Sequence, residues 1–202
     1  MASEIKANKI SPATGTAFTI GDSGDTFTLP SGATLAVASG AAISNAGTAS
    51  GFGGTNTPAF FATKTSADQG VSHNVYTKVT FDTEEIDTDS AFDLANDKFT
   101  VPVGKAGKYI LNGNVTGHST GGDLSIVVVA FYINGSIKNS WRSLYEVPLY
   151  NNSTECTINA TVIADLAEGD YVELYGRVGG DGTTTLNIKL NKTYFSGFKL
   201  VE

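Results

Sequence analysis

The sequence predicts an all-β protein in two parts, a sandwich or jelly-roll head over residues 58–202 carried on a thin repetitive β-shaft over residues 21–57. Three observations predict it. Apolar and polar residues alternate with a period of two through the second half, and no stretch there shows helical periodicity. Glycine-rich turns separate these short alternating runs. The first half repeats itself every eight residues.

That repeat is SGDTFTLP (Ser23 to Pro30), SGATLAVA (Ser31 to Ala38) and SGAAISNA (Ser39 to Ala46). Phe27, Leu35 and Ile43 recur in register, as do Leu29 and Val37. Two apolar residues two positions apart share one face of an extended segment, and Ser-Gly supplies each turn. One chain cannot hide that stripe. Units of this size need stacked or intertwined neighbours, so Phe27, Leu29, Leu35, Val37 and Ile43 are the expected core of a three-chain shaft, with Ala and Ser permitting close approach. A plain Gly/Ser linker is the alternative, but a linker has no reason to keep apolar residues in register. The boundary with the head falls near GFGGTNTP, and residues 1–20 are left as an N-terminal docking segment.

In the head, Val172, Leu174, Gly176 and Val178 alternate with Tyr171, Glu173, Tyr175 and Arg177, and Ile158, Ala160 and Val162 with Thr157, Asn159 and Thr161. Each run predicts a strand with one buried face. Ile126 to Ile133 is apolar on both faces and meets Asn134-Gly135, a hairpin signal, which predicts a central strand covered on each side, one cover being a candidate subunit interface. Cys156 is the only cysteine and lies in an alternating run, so a small packed side chain is expected, without redox chemistry.

Landmark residues add a resemblance. Phe81, Asp87, Phe92, Phe99, Gly107 and Tyr109, then Leu166, Gly169, Asp170 and Val172, then Phe195, Gly197, Phe198 and Leu200 occur in order. This pattern resembles the globular head of complement's first component, subcomponent q, a domain that shares its ten-strand jelly roll with tumour necrosis factor. The chain departs from it by a two-residue insertion between Phe99 and Gly107, by leucine at Leu111 where the family prefers phenylalanine, and by Gly113 where it prefers an aromatic. What the resemblance implies is a homotrimeric ten-strand jelly-roll head. Some members bind calcium near the trimer axis, although no residue here maps onto those ligands.

Composition narrows the function. A formal charge of −7 and a pI near 4.8 argue against nucleic acid, whose affinity comes from clustered Lys and Arg. MASEIKANKISPATG holds no long apolar run, so neither a secretory signal nor membrane insertion is read there, and synthesis in a host cytoplasm is expected. The six Asn-x-Ser/Thr strings at Asn114, Asn134, Asn151, Asn152, Asn159 and Asn191 carry little weight in such a protein. GHSTG (Gly117 to Gly121) matches the hydrolase nucleophile-elbow string, but a strand follows where a helix is required, so a mobile glycine-rich loop is expected and no catalytic residue is assigned. His73 and His118 lack zinc-type spacing and read as loop polars. FDTEEIDTDSAFD carries Asp82, Glu84, Glu85, Asp87, Asp89 and Asp93, acids dense enough to offer calcium oxygen ligands, yet without EF-hand spacing; a solvated loop is the simpler reading, and no cofactor is assigned.

WRSLYEVPLY (Trp141 to Tyr150) reads as an irregular stretch in which Trp141, Arg142, Tyr145 and Tyr150 are the candidate ligand-binding residues, since Trp, Tyr and Arg dominate binding hot spots. Packing of these rings between subunits is the competing expectation. A repetitive stem and a compact head together resemble the tail fibres and head appendages of bacteriophages. The expectation is a trimeric virion-surface fibre that docks onto other virion proteins through its N-terminal segment and binds a host-surface glycan or protein with its head. The alternatives are a structural capsid fibre or decoration without receptor binding, and a bacterial or spore surface protein carrying the same head. An enzyme is the class least favoured.

Overall fold

The computed structural model describes residues 14–15, 20, 23–42, 56–122, 124–146, 153–181 and 185–200. The chain divides into two units, residues 1–50 and 51–202. In the first unit, turns fall on Ser23-Gly24, Ser31-Gly32 and Ser39-Gly40, eight residues apart, with short non-ladder segments between them. Each turn glycine has a positive φ of 83° to 96°, the left-handed region in which the lack of a Cβ removes the steric penalty. The amides of Ala33 and Ala41 donate to the carbonyls of Pro30 and Ala38 across the second and third turns. Ile43 lies outside the described residues.

The second unit contains thirteen strand segments and no helix among the described residues: β1 (Ala59–Thr63), β2 (Gln69–Val71), β3 (Thr77–Lys78), β4 (Thr83–Asp87), β5 (Phe92–Asp93), β6 (Lys98–Thr100), β7 (Gly107–Ser119), β8 (Ile126–Ile133), β9 (Ser136–Glu146), β10 (Glu155–Leu166), β11 (Tyr171–Gly179), β12 (Leu186–Ile188) and β13 (Tyr194–Lys199). Five of the thirteen, β2, β3, β5, β6 and β12, are only two or three residues long. All pairings are antiparallel. In one sheet β10 pairs along the full length of β7, whose other edge carries β13 and then β12; β1 and β4 continue beyond β13, and β2 beyond β12. In the other, β11 pairs with β8 and β8 with β9, while β6 and β3 share the far edge of β11. Two antiparallel sheets of this kind make a jelly-roll sandwich.

The core between the sheets is aromatic. Phe60 stacks on Phe99 at 4.7 Å and meets Phe195 edge-on at 4.8 Å, and Phe81, Phe92 and Phe131 surround Phe195. Five of the sequence landmarks, Phe81, Phe92, Phe99, Tyr109 and Phe195, are therefore core rings, and each is worth about 1.5–3 kcal/mol of burial before ring–ring geometry adds more. The departures in β7 find their explanation here. Gly113 faces the core where Leu174 comes through from β11, and a Cβ at Gly113 would land inside the leucine's terminal methyl. Leu174 thus fills the volume an aromatic would claim, and β7 runs unbroken through both Leu111 and Gly113.

Several expectations are met locally. Asn134 and Gly135 join β8 to β9 with φ of 50° and 75°, both positive as a type I′ hairpin requires. β8 is buried on both faces, and the alternations in β10 and β11 place the expected residues inward. Cys156 lies in β10, half-buried against the core.

Candidate functional site

The stretch read as irregular is in fact strand as far as Glu146, because its residues continue the ladder from the hairpin: Arg142 pairs with Ala130, Leu144 with Val128 and Glu146 with Ile126. Alternation then splits the candidates between two faces. Trp141 and Tyr145 are half-buried on the inner side, Trp141 packing against the core, while Arg142 is exposed on the outer face. Tyr150 lies outside the described residues. Of the three candidates among the described residues, only Arg142 lies on the open face of the sheet.

Around Arg142 the fold assembles a cluster that sequence reasoning missed. Register places Arg142, Ala130, Tyr175 and Lys78 in one row across β9, β8, β11 and β3, with Leu144, Val128 and Arg177 in the row on one side and Ile137, Tyr132 and Glu173 on the other. Tyr132 and Tyr175, diagonal neighbours, stack at 3.8 Å. Tyr76, on the segment leading into β3, meets Tyr132 at 6.4 Å. Its hydroxyl accepts a hydrogen bond from Arg142 Nη1 at 3.0 Å, and Arg177 lies over its ring with Cζ 5.6 Å from the centroid, within cation–π range. Val128 and Ala130 point outward in the middle of this face and are still only 1% and 0% exposed, so the larger side chains close over them.

The segment carrying Tyr76 is tied down. Asn74 adopts φ of 64°, its amide donates to Val178 O at 2.9 Å, and its Oδ1 accepts from Arg177 Nε at 2.7 Å. His73 Nδ1 accepts from the Gly180 amide. Burial pushes the Tyr132 and Tyr175 hydroxyls upward in pKa, with the neighbouring ring and Glu173 respectively adding to it, so both stay neutral donors at physiological pH. Glu173, the carboxylate in these rows, is engaged by Lys78 at 2.9 Å. One signal for the cluster was present: the polar side of β11 reads Tyr171, Glu173, Tyr175, Arg177, and the sequence has only two arginines.

The other candidates are placed differently. Gly117 to Ser119 end β7 and do not form a loop; Ser119 is fully buried and its Oγ donates to Gly122 O at 2.6 Å, which is not the exposed geometry of a nucleophile elbow. His118 is likewise a strand residue, half-buried, with Nδ1 unpartnered among the described residues. The acidic stretch is partly strand β4, and its carboxylates turn to separate structural tasks. Asp82 accepts from the amides of Thr65 and Ser66, Asp87 from those of Ala91 and Phe92, and Asp93 from Asn96. Among the described residues no three potential metal ligands converge.

A shallow cavity of about 230 Å³ lies elsewhere, over β1 and β13, walled by Phe61, Tyr194, Glu85 and Lys192. Phe27, Leu29, Leu35 and Val37 of the first unit are 43% to 63% exposed in the single chain.

No protein-family model and no curated protein matches the sequence. Among solved structures the chain is similar to the globular domain of zebrafish complement 1qA protein, at 16% identity over 71% of this chain and 98% of that one with a TM-score of 0.46. It is similar to murine APRIL at 15% identity over 70% and 98%, with a TM-score of 0.48. Eiger TNF from S. frugiperda aligns at 12% identity over 70% of this chain and 90% of its own, with a TM-score of 0.53. Together with two antiparallel sheets packed on a shared aromatic core, the last of these shows the head to be a jelly roll of the tumour-necrosis-factor type, as its aromatic and glycine landmarks implied.

Proposed function

We propose that this chain is a multivalent attachment protein: a bacteriophage virion fibre or appendage in which three jelly-roll heads stand on a three-chain shaft, residues 1–20 dock onto other virion proteins, and the heads bind a host-surface glycan or protein. The observation that carries the reading is the pairing of a tumour-necrosis-factor-type head with an octad repeat whose described apolar residues, Phe27, Leu29, Leu35 and Val37, remain 43% to 63% exposed. Burying a Phe, Leu or Val side chain fully is worth about 1.5–3 kcal/mol, so covering four that are roughly half-exposed gains on the order of 4 kcal/mol per chain, enough to favour association.

Three copies of a site multiply weak affinity. A millimolar site is worth about 4 kcal/mol by itself, and tethering raises the effective concentration of the second and third sites by orders of magnitude. The outer face of β8, β9 and β11 supplies a surface suited to such a site, with three tyrosines and two arginines held in fixed geometry.

The test is sedimentation of the full chain, followed by adsorption. A trimer that binds host cells and competes with particle adsorption is expected, and antibody labelling should place the chain on the virion surface. A monomer persisting at high concentration, or a trimer that neither binds cells nor competes, overturns the reading.

A further inference from the structure

We propose that the tyrosine–arginine face of the head takes an anionic saccharide, a sugar chain bearing carboxylate or sulfate groups; this deepens the attachment reading and rests on it. Its starting point is economy of charge. The chain holds 20 acidic against 13 basic residues, and only two of those are arginine. Arg142 and Arg177, from strands far apart in sequence, both converge on Tyr76.

Neither arginine is paired with a carboxylate among the described residues. Arg142 spends Nη1 on the Tyr76 hydroxyl, and Arg177 spends Nε on Asn74. A guanidinium has five donors in a planar fork that matches a carboxylate or sulfate edge, so the greater part of each fork is available to a ligand. Glu173, the acid within these rows, is already engaged by Lys78, while the exposed Glu146 lies one row beyond Arg177 on the same face. Pre-organisation lowers the entropic cost of binding: Arg177 is laid on the Tyr76 ring and pinned by Asn74, which is itself bonded to the backbone of β11.

The shape of the face selects among anions. Val128 and Ala130 are sealed beneath the larger side chains, so what the described residues of this face offer a ligand is aromatic rings and cations. Tyr132 and Tyr175 cover one face of each other at 3.8 Å, so a sugar ring would lay its C–H face on an outward side of the stacked pair, with the arginines taking its acidic substituent. Nucleic acid is disfavoured because two cations in a chain of net charge −7 cannot compensate a phosphate backbone.

The experiment uses the full-length protein against four immobilised probes: an oligouronate, the same oligosaccharide with its carboxyls reduced to alcohols, a sulfated oligosaccharide, and polyglutamate. Binding to either acidic sugar, weakening as salt rises, is expected, with the carboxyl-reduced form bound at least about tenfold more weakly. Arg142→Gln and Arg177→Gln should each lose about tenfold, the scale of a lost charge-assisted hydrogen bond. Arg177→Lys should recover only part of that loss, because an ammonium lacks the fork. Arg142 is exposed, so its substitution reports on binding even if Arg177→Gln disturbs the fold. Equal binding of the acidic and reduced sugars, losses under about twofold, or preference for polyglutamate overturns the inference. Adsorption to host cells is measured in parallel: cell binding that survives both Arg→Gln changes sinks the anionic-sugar assignment alone, whereas failure of the wild type to bind cells sinks the attachment reading with it.

Discussion

Introducing a methyl group at Gly113 tests how the head's core is built. Its Cβ would occupy the space of a Leu174 methyl, and Leu174 is fully buried, so one of the two must give way. Overpacking of this kind costs about 1–3 kcal/mol for Gly113→Ala. Leu174→Ala on its own leaves a cavity and costs about 2–5 kcal/mol. In the double variant the new methyl enters part of the vacated volume: the overpacking disappears, and about 0.8 kcal/mol of methyl burial returns. The two changes should therefore couple favourably by about 2 kcal/mol or more, leaving the double variant at least as stable as Leu174→Ala alone. Urea unfolding followed by tyrosine and tryptophan fluorescence, at one fixed protomer concentration because association shifts apparent stability, gives the four free energies. Additivity to within about 0.5 kcal/mol would show that Gly113 and Leu174 do not contend for one volume, and would refute the explanation of why this strand departs from the complement-head pattern.

Other expectations follow from the same structure. Gly135→Ala should destabilise the head by about 1 kcal/mol, because the hairpin position has φ of 75°; an unchanged melting temperature would count against the type I′ turn. At Asp82 partial burial acts to raise the carboxyl pKa but is outweighed by hydrogen bonds from the side chain and amide of Thr65 and the amide of Ser66, which bring it down from 3.8 to about 2. A depressed folded-state pKa means stability that is present above the ordinary carboxylate range and is lost as pH falls toward 2. Asp82→Asn should therefore flatten the fall in melting temperature between pH 5 and pH 2, and an unaltered slope would deny Asp82 that role. Phe195→Ala should cost about 3–5 kcal/mol, since it removes the ring at the centre of the aromatic core; near-UV circular dichroism during unfolding measures it. Leu35→Ser should weaken self-association of the full chain, seen as a larger monomer fraction on dilution, while the isotherm of an unaltered shaft would argue for a linker.

Much of the head was legible in order along the chain. Period-two alternation located β10 and β11 and their inward residues, Asn134-Gly135 marked the hairpin, and the spaced phenylalanines turned out to be the core. The Ser-Gly turns of the first unit also fall where the octad places them. What misled the reading was a local rule applied without its partner strand. Trp141 to Glu146 lacks clean alternation of hydrophobicity and contains bulky polar residues, so it looked irregular; pairing with β8 holds it as strand. The same pairing turns Trp141 inward and Arg142 outward, dividing a candidate site that seemed continuous.

By itself the sequence determined the all-β class, the eight-residue stem repeat and the turn chemistry, because each of these depends on neighbours within a few positions. Only the tertiary structure decided that Tyr76, Tyr132, Arg142, Tyr175 and Arg177 meet on one face and that Leu174 stands in for a missing aromatic beside Gly113. The physical reason is that alternation reports which side of a strand a residue occupies, whereas the choice of facing strand and its register are settled by long-range packing of the whole sandwich.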